Sequence, residues 1–183
     1  MRWIFAALIR AGGRWNRQGL YGCLYTAQSA AGAAGEYRKH FVRRGLRRDR
    51  DLVSLEVEVE YVLDLPAILA TGETAAVLPV FAGMPPRAGV HQHLLPPIEA
   101  DRLVGDGDAD LEHCRTLADW ARQHGFLAIQ APSAAVEGEL TLPIYPENRP
   151  RDLWIAVHAE PTPLNYGSDP FVDPDGHPQR EVP

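Results

Sequence analysis

Between residues 52 and 65 the apolar side chains Leu55, Val57, Val59, Tyr61 and Leu63 alternate with Glu56, Glu58 and Glu60. A period of two predicts a strand with one wet face, so the three glutamates are read as solvated and carry no chemistry. Further on, Leu111, Cys114, Leu117, Ala118 and Ala121 fall on one stripe at helical spacing. They predict a helix capped by Asp108 or Asp110 and ended by Gly125. A buried strand over residues 126–129 follows and stops at Pro132-Ser133. Two more strands are expected over 140–145 and 154–159, separated by Pro146, Pro150 and charged turn residues.

The first third of the chain is patterned less evenly. Residues 20–26 read as a short strand, after which Ser29 caps an Ala-rich helix of about ten residues that runs through Glu36 towards Phe41. Gly32 and Gly35 weaken that helix by roughly 1 kcal/mol each. Residues 66–107 hold Pro66, Pro79, Pro85, Pro86, Pro96 and Pro97, which predicts an irregular stretch with short helices or strands. The opening residues 1–9 are apolar, but Arg10 interrupts them well short of a membrane span, so a buried strand or helix turn is expected there rather than a signal peptide. Strands separated by helices of uneven length, with antiparallel-looking alternation, predict a single α+β domain over residues 1–165. Residues 166–183, rich in Pro, Asp and Gly, read as an irregular tail.

Composition narrows the function classes. A chain of 183 residues, 45% hydrophobic and 23% charged, is the size of one globular domain. Its net charge of -6 argues against general binding to nucleic acid or to an anionic membrane. Cys23 and Cys114 stand far apart and outside any CxxC spacing, which indicates neither a disulfide framework nor a thiolate metal site and fits a reducing cytosol. His91-Gln92-His93 would point both imidazoles to one face of a strand, yet no third ligand has a recognisable spacing, so no metal is assigned and a loop or lid role is preferred. No GxGxxG or Walker A sequence occurs. Lys39 is the only lysine, inside a basic run of Arg38, Lys39, Arg43, Arg44, Arg47, Arg48 and Arg50. A solvated helix end is the default reading of that run, with a rim for an anionic ligand as the alternative.

One constellation stands apart from this background. Gly12-Gly13-Arg14-Trp15-Asn16, then Gly19, Leu24-Tyr25 and Glu36, are followed much later by Pro132-Ser133-Ala134 and by the run Glu139-Leu140-Thr141-Leu142-Pro143-Ile144-Tyr145-Pro146-Glu147-Asn148. Taken singly, Arg14, Tyr25, Glu36 and Ser133 have ordinary readings as an ion-pairing, a core, a solvent-facing helix and a turn residue. Their joint spacing resembles the RES family, named for its arginine, glutamate and serine, over about residues 11–165.

The resemblance implies a fold similar to ADP-ribosyltransferases and an NAD-degrading toxin of a bacterial toxin-antitoxin pair. Such an enzyme cleaves the nicotinamide-ribose bond of NAD and passes ADP-ribose to phosphate or water. Transfer to a protein is a second reading, and a non-catalytic RES-like binding module a third. The implied partner is an Xre-type antitoxin that covers the site, for which the basic run is a candidate dock. No cofactor is implied beyond NAD as substrate, and the implied location is the cytoplasm. By position the active-site residues are Arg14, Tyr25, Glu36 and Ser133, with Asn148 as a further substrate contact. Thirteen residues precede Arg14, so the first strand is expected to be shortened.

The residue types suit that chemistry. Cleavage of an N-glycosidic bond passes through an oxocarbenium-like state that a carboxylate such as Glu36 stabilises. A guanidinium such as that of Arg14 grips pyrophosphate oxygens in a planar fork. Tyr25 offers a ring to the cationic nicotinamide or a hydroxyl to the ribose. Ser133 offers a small donor and acceptor to the ribose or to the incoming nucleophile. It lies outside any GxSxG sequence and is not read as an acylating nucleophile.

Overall fold

The computed structural model describes residues 2–8 (backbone only), 12–40, 51–72, 95–148 and 153–163. Eight strands and four helices occur among them: β1 Arg2–Leu8, β2 Cys23–Ala27, α1 Ala30–His40, β3 Asp51–Val59, β4 Val62–Asp64, α2 Leu65–Ala70, α3 Ala100–Val104, α4 Asp108–Gln123, β5 Ala128–Pro132, β6 Leu140–Ile144, β7 Leu153–Val157 and β8 Thr162–Pro163. The strands follow the order β4-β5-β6-β2-β1-β3-β7, with β8 pairing β3 off this path. All neighbours are antiparallel except β4 and β5, so the expected α+β class holds. The first strand, expected to be short, runs over seven residues and lies between β2 and β3.

The period-two run over 52–65 is two strands rather than one. Tyr61 takes a left-handed backbone conformation at φ 56°, which turns the chain before β4. As a result β3 pairs β1 and β7, whereas β4 pairs β5 at the other end of the sheet. Alternation reports which face a residue occupies and is blind to a change of strand partner. The wet-face reading survives the split: Glu56, Glu58 and Glu60 are exposed.

The helix expected after residue 108 is α4, and its stripe of Cys114, Leu117, Ala118 and Ala121 is buried. Its N-cap is Gly107, not Asp108 or Asp110. Asp108 is the first helical residue, while Asp110 reaches back one turn and accepts a hydrogen bond from the Gly107 amide at 3.0 Å. Within 66–107, α2 is capped by Asp64, whose side chain accepts from the Ala67 amide, and α3 follows later. His91, His93 and the prolines at 79, 85 and 86 lie outside the described residues, as do Arg43, Arg44, Arg47, Arg48, Arg50 and the tail from 164 onwards. Phe126 and Leu127, expected to open a strand, precede β5 and are fully buried.

The main core joins Tyr25, Ile129 and Ala131 from the sheet to Leu65 of α2, Leu103 of α3 and Leu117 and Ala121 of α4, with Trp15, Phe126 and Tyr145 from the connections. Burial of this much apolar surface is the principal term holding the helices on the sheet. A second cluster of Ala27, Ala33, Tyr37 and Leu52 seats α1. Ala128, Leu142 and Ile144 belong to a third cluster, separate from that of Ile129, as the alternation of neighbours along a strand requires. Tyr25 and Ala27, two residues apart on β2, share one face of the sheet, so α1 packs on the same side as the helices of the main core, and the site lies where β2 and β5 end.

Candidate functional site

Arg14 is carried by a turn between β1 and β2. The Gly13 amide donates to the Asn16 carbonyl at 2.9 Å, closing the turn. Behind it, the Tyr25 hydroxyl on β2 accepts from the Trp15 amide and donates to Asn16 Oδ1, both at 2.9 Å. The Tyr145 hydroxyl donates to the Trp15 carbonyl at 3.0 Å. A Cβ on Gly13 would overlap the Tyr25 hydroxyl, so this close approach needs glycine. Burial pushes the Tyr25 and Tyr145 phenols well above their ordinary range and keeps them protonated as donors.

α4 clamps the same turn from outside. Arg115 Nε donates to the Gly13 carbonyl at 3.0 Å, and Arg17 pairs with Asp119 and Glu112. Tyr21 donates to Asp119 at 2.8 Å, with the Arg122 guanidinium 3.6 Å from its ring centroid. The turn is held through its backbone and its flanks, which leaves Arg14 to reach inward.

The Arg14 side chain is 4% exposed. Its Nη1 donates to the Leu103 carbonyl at 3.2 Å and the Gly105 carbonyl at 2.6 Å, and its Nη2 pairs with Asp106 Oδ1 at 2.8 Å. Nε is buried without a hydrogen-bond partner. Cys114 Sγ lies 3.9 Å from Nη1, and burial raises that thiol's pKa while Arg14 pulls it the other way. The fork is thus divided: one nitrogen serves the loop backbone and the other a carboxylate that is 53% exposed.

Glu36 occupies the middle of α1 and is 3% exposed, which excludes the solvent-facing reading. Its Oε1 accepts from Ser133 Oγ at 2.6 Å and from the Ala134 amide at 3.1 Å. Ser133 Oγ in turn accepts from the Ala135 and Val136 amides, each at 3.1 Å. The serine is therefore a turn residue and a partner of Glu36 at once. α1 can come this close to the turn because residue 35 is glycine; a Cβ there would overlap Val136. Ser29 caps the helix as expected, accepting from the Gly32 amide, and donates to Glu139 at the far end of the same turn.

Asp106, which sequence reasoning did not single out, and Lys39, read there only as part of the basic run, join the halves. Asp106 Oδ2 lies 2.9 Å from Lys39 Nζ, and Lys39 also donates to the Ala134 carbonyl at 2.5 Å. A continuous polar path thus runs from Arg14 through Asp106 and Lys39 to the turn that holds Glu36 and Ser133. Asp106 gave no signal among its acidic neighbours. Lys39 did: it stands three residues after Glu36, on the same helix face, and was absorbed into the basic run. Asn148 is 8% exposed and donates to the Arg122 and Phe126 carbonyls at 3.1 and 2.7 Å, fastening the end of α4. The Tyr25 hydroxyl is engaged with Trp15 and Asn16 of the Arg14 turn. Among the described residues no group of His, Cys, Asp and Glu could hold a metal ion, and no helix is long and apolar enough to cross a membrane.

An arginine turn, a helix-borne glutamate and a serine turn are thus joined in one polar network on a mixed α+β fold. The RES domain family matches residues 2–166, and the chain belongs to that family. Among solved structures it is similar to the M. tuberculosis MbcT-MbcA toxin-antitoxin complex, at a TM-score of 0.54 and 22% identity over 85% of this chain and 73% of that one. No curated protein matches.

Proposed function

We propose that this chain is the toxin of a toxin-antitoxin pair and that it cleaves the nicotinamide-ribose bond of NAD, passing ADP-ribose to phosphate or water. The observation that carries the reading is the carboxyl group of Glu36, buried with Oε1 held by the Ser133 hydroxyl and the Ala134 amide. A carboxylate fixed in this way cannot relax away from positive charge developing on the ribose, which is the form of electrostatic stabilisation that contributes most to such reactions. Membership of the RES family and likeness to the fold of a toxin-antitoxin complex support the same assignment.

In this reading Glu36 stabilises the oxocarbenium-like state and Arg14 offers positive charge to the pyrophosphate. Ser133 orients Glu36, and through it the ribose. Tyr25 sets the turn that presents Arg14. Asn148 braces the end of α4, and an Xre-type antitoxin would act by covering the site.

Purified protein incubated with NAD, with and without inorganic phosphate, tests the proposal. Free nicotinamide, together with ADP-ribose or its phosphorylated product, is the expected outcome. Label appearing on a protein instead would move the acceptor to a side chain. Absence of nicotinamide at high protein concentration, together with harmless expression in cells, would leave only a binding module.

A further inference from the structure

The bridge between the two halves of the site has the form of a bound oxyanion. The two oxygens of Asp106 each meet a different cation, Arg14 Nη2 at 2.8 Å and Lys39 Nζ at 2.9 Å. Both cations are largely buried, with side chains 4% and 12% exposed, whereas the carboxylate between them is 53% exposed. Asp106 sits between Gly105 and Gly107, on the short connection from α3 to α4. The cations themselves are anchored independently of it. Arg14 is held by the Leu103 and Gly105 carbonyls, and Lys39 by the Ala134 carbonyl.

The carboxylate is the exposed member of a bridge whose two cations are buried, and a half-exposed ion pair is worth little against a better anion. We infer that Arg14 and Lys39 form a phosphoryl-binding subsite in which Asp106 is the resident anion, displaced into solvent when a phosphate or pyrophosphate group enters. A phosphoryl group carries more charge and more acceptor oxygens than the carboxylate and can span both cations while the half-exposed Asp106 side chain rotates into solvent. Lys39 also touches Ala134, whose amide donates to Glu36, so the subsite is continuous with the carboxylate that would act on the ribose. The inference rests on the NAD reading only for the identity of the phosphoryl compound.

Because Lys39 is the sole lysine, protein grown with isotope-labelled lysine gives one backbone resonance that reports this subsite in the native chain. Titration with inorganic pyrophosphate is expected to shift that resonance saturably, with inorganic phosphate shifting it at higher concentration. If phosphate binds as tightly as pyrophosphate, the subsite serves the free acceptor rather than the dinucleotide. Calorimetry is expected to show Asp106→Asn binding pyrophosphate about three- to ten-fold more tightly than native protein, and Lys39→Gln about ten- to hundred-fold more weakly. In nicotinamide release, Lys39→Gln should raise KM for NAD by a similar factor while kcat changes little.

An unshifted lysine resonance at high pyrophosphate, or equal affinity in native and Lys39→Gln protein, overturns the inference. So does an Asp106→Asn protein, native by melting temperature, that gains no affinity. Pyrophosphate binding without nicotinamide release would instead sink the NAD reading and leave the subsite standing.

Discussion

Arg14 and Glu36 are both buried, 5% and 3% exposed, yet they are held in different ways. Arg14 extends from a turn locked by Tyr25, Tyr145 and α4, and its guanidinium is braced by backbone carbonyls of the α3–α4 connection. Glu36 extends from a helix and is braced by a hydroxyl and an amide of a single turn. The arginine side is a structural keystone with one nitrogen turned to a half-exposed acid. The glutamate side is a small cradle around a carboxyl group. The difference teaches that substitutions on the two sides should report different quantities, stability on the first and rate on the second.

The largest effect is expected from Arg14→Ala, which leaves the Leu103 and Gly105 carbonyls without their cationic donor. A buried acceptor left without its donor costs about 1–3 kcal/mol, so with two carbonyls stranded denaturant unfolding should show a loss of at least that order together with loss of activity. A stable, merely inactive Arg14→Ala protein would erase the distinction between the two sides. Next, Glu36→Gln keeps shape and burial while removing charge. Nicotinamide release should fall about 10²–10³-fold, with the melting temperature close to that of native protein. A rate within a few-fold of native would remove Glu36 from the chemistry.

Tyr25→Phe should cost about 1–3 kcal/mol, because the Trp15 amide and Asn16 Oδ1 both lose their partner. A proportionate fall in activity would then follow from the displaced turn. The same buried phenols set an alkaline limit. Tyr25 and Tyr145 have raised pKa values in the folded state, so above about pH 10 the unfolded chain releases protons that the folded chain retains. Stability from these groups is full below that pH and declines as pH rises through the folded-state values, a trend that unfolding titrations with tyrosinate absorbance would follow. The smallest effect belongs to Glu58→Gln on the exposed face of β3, expected within about 0.5 kcal/mol and without change in activity. A larger effect there would show that the sheet face has a role the present comparison assigns only to the turns.

The elements were legible where one period governed a whole segment. The stripe of α4, the Ser29 cap and the strands around Ser133 and Leu142 follow from spacing and turn residues alone. The break at Tyr61 was not legible, since alternation continues through it and only the change of pairing partner exposes it. The site shows the same division. Arg14, Tyr25, Glu36 and Ser133 are marked in the sequence by a spacing that single residues could not carry. Their relations are not marked: nothing local says that the Tyr25 hydroxyl belongs to the Arg14 turn or that the Ser133 hydroxyl belongs to Glu36. Asp106 and Lys39 are likewise remote, 67 positions apart along the chain.

The sequence by itself determined the α+β class, the solvated glutamate face, the family and the identity of the principal polar residues, because periodicity, capping and motif spacing are local properties of the chain. Only the tertiary structure decided which of those residues touch, that Arg14 is divided between backbone and acid, and that one carboxylate bridges two buried cations. Those facts depend on contacts between segments remote in sequence, and such contacts are set by how the helices bury their apolar faces on the sheet rather than by any local pattern.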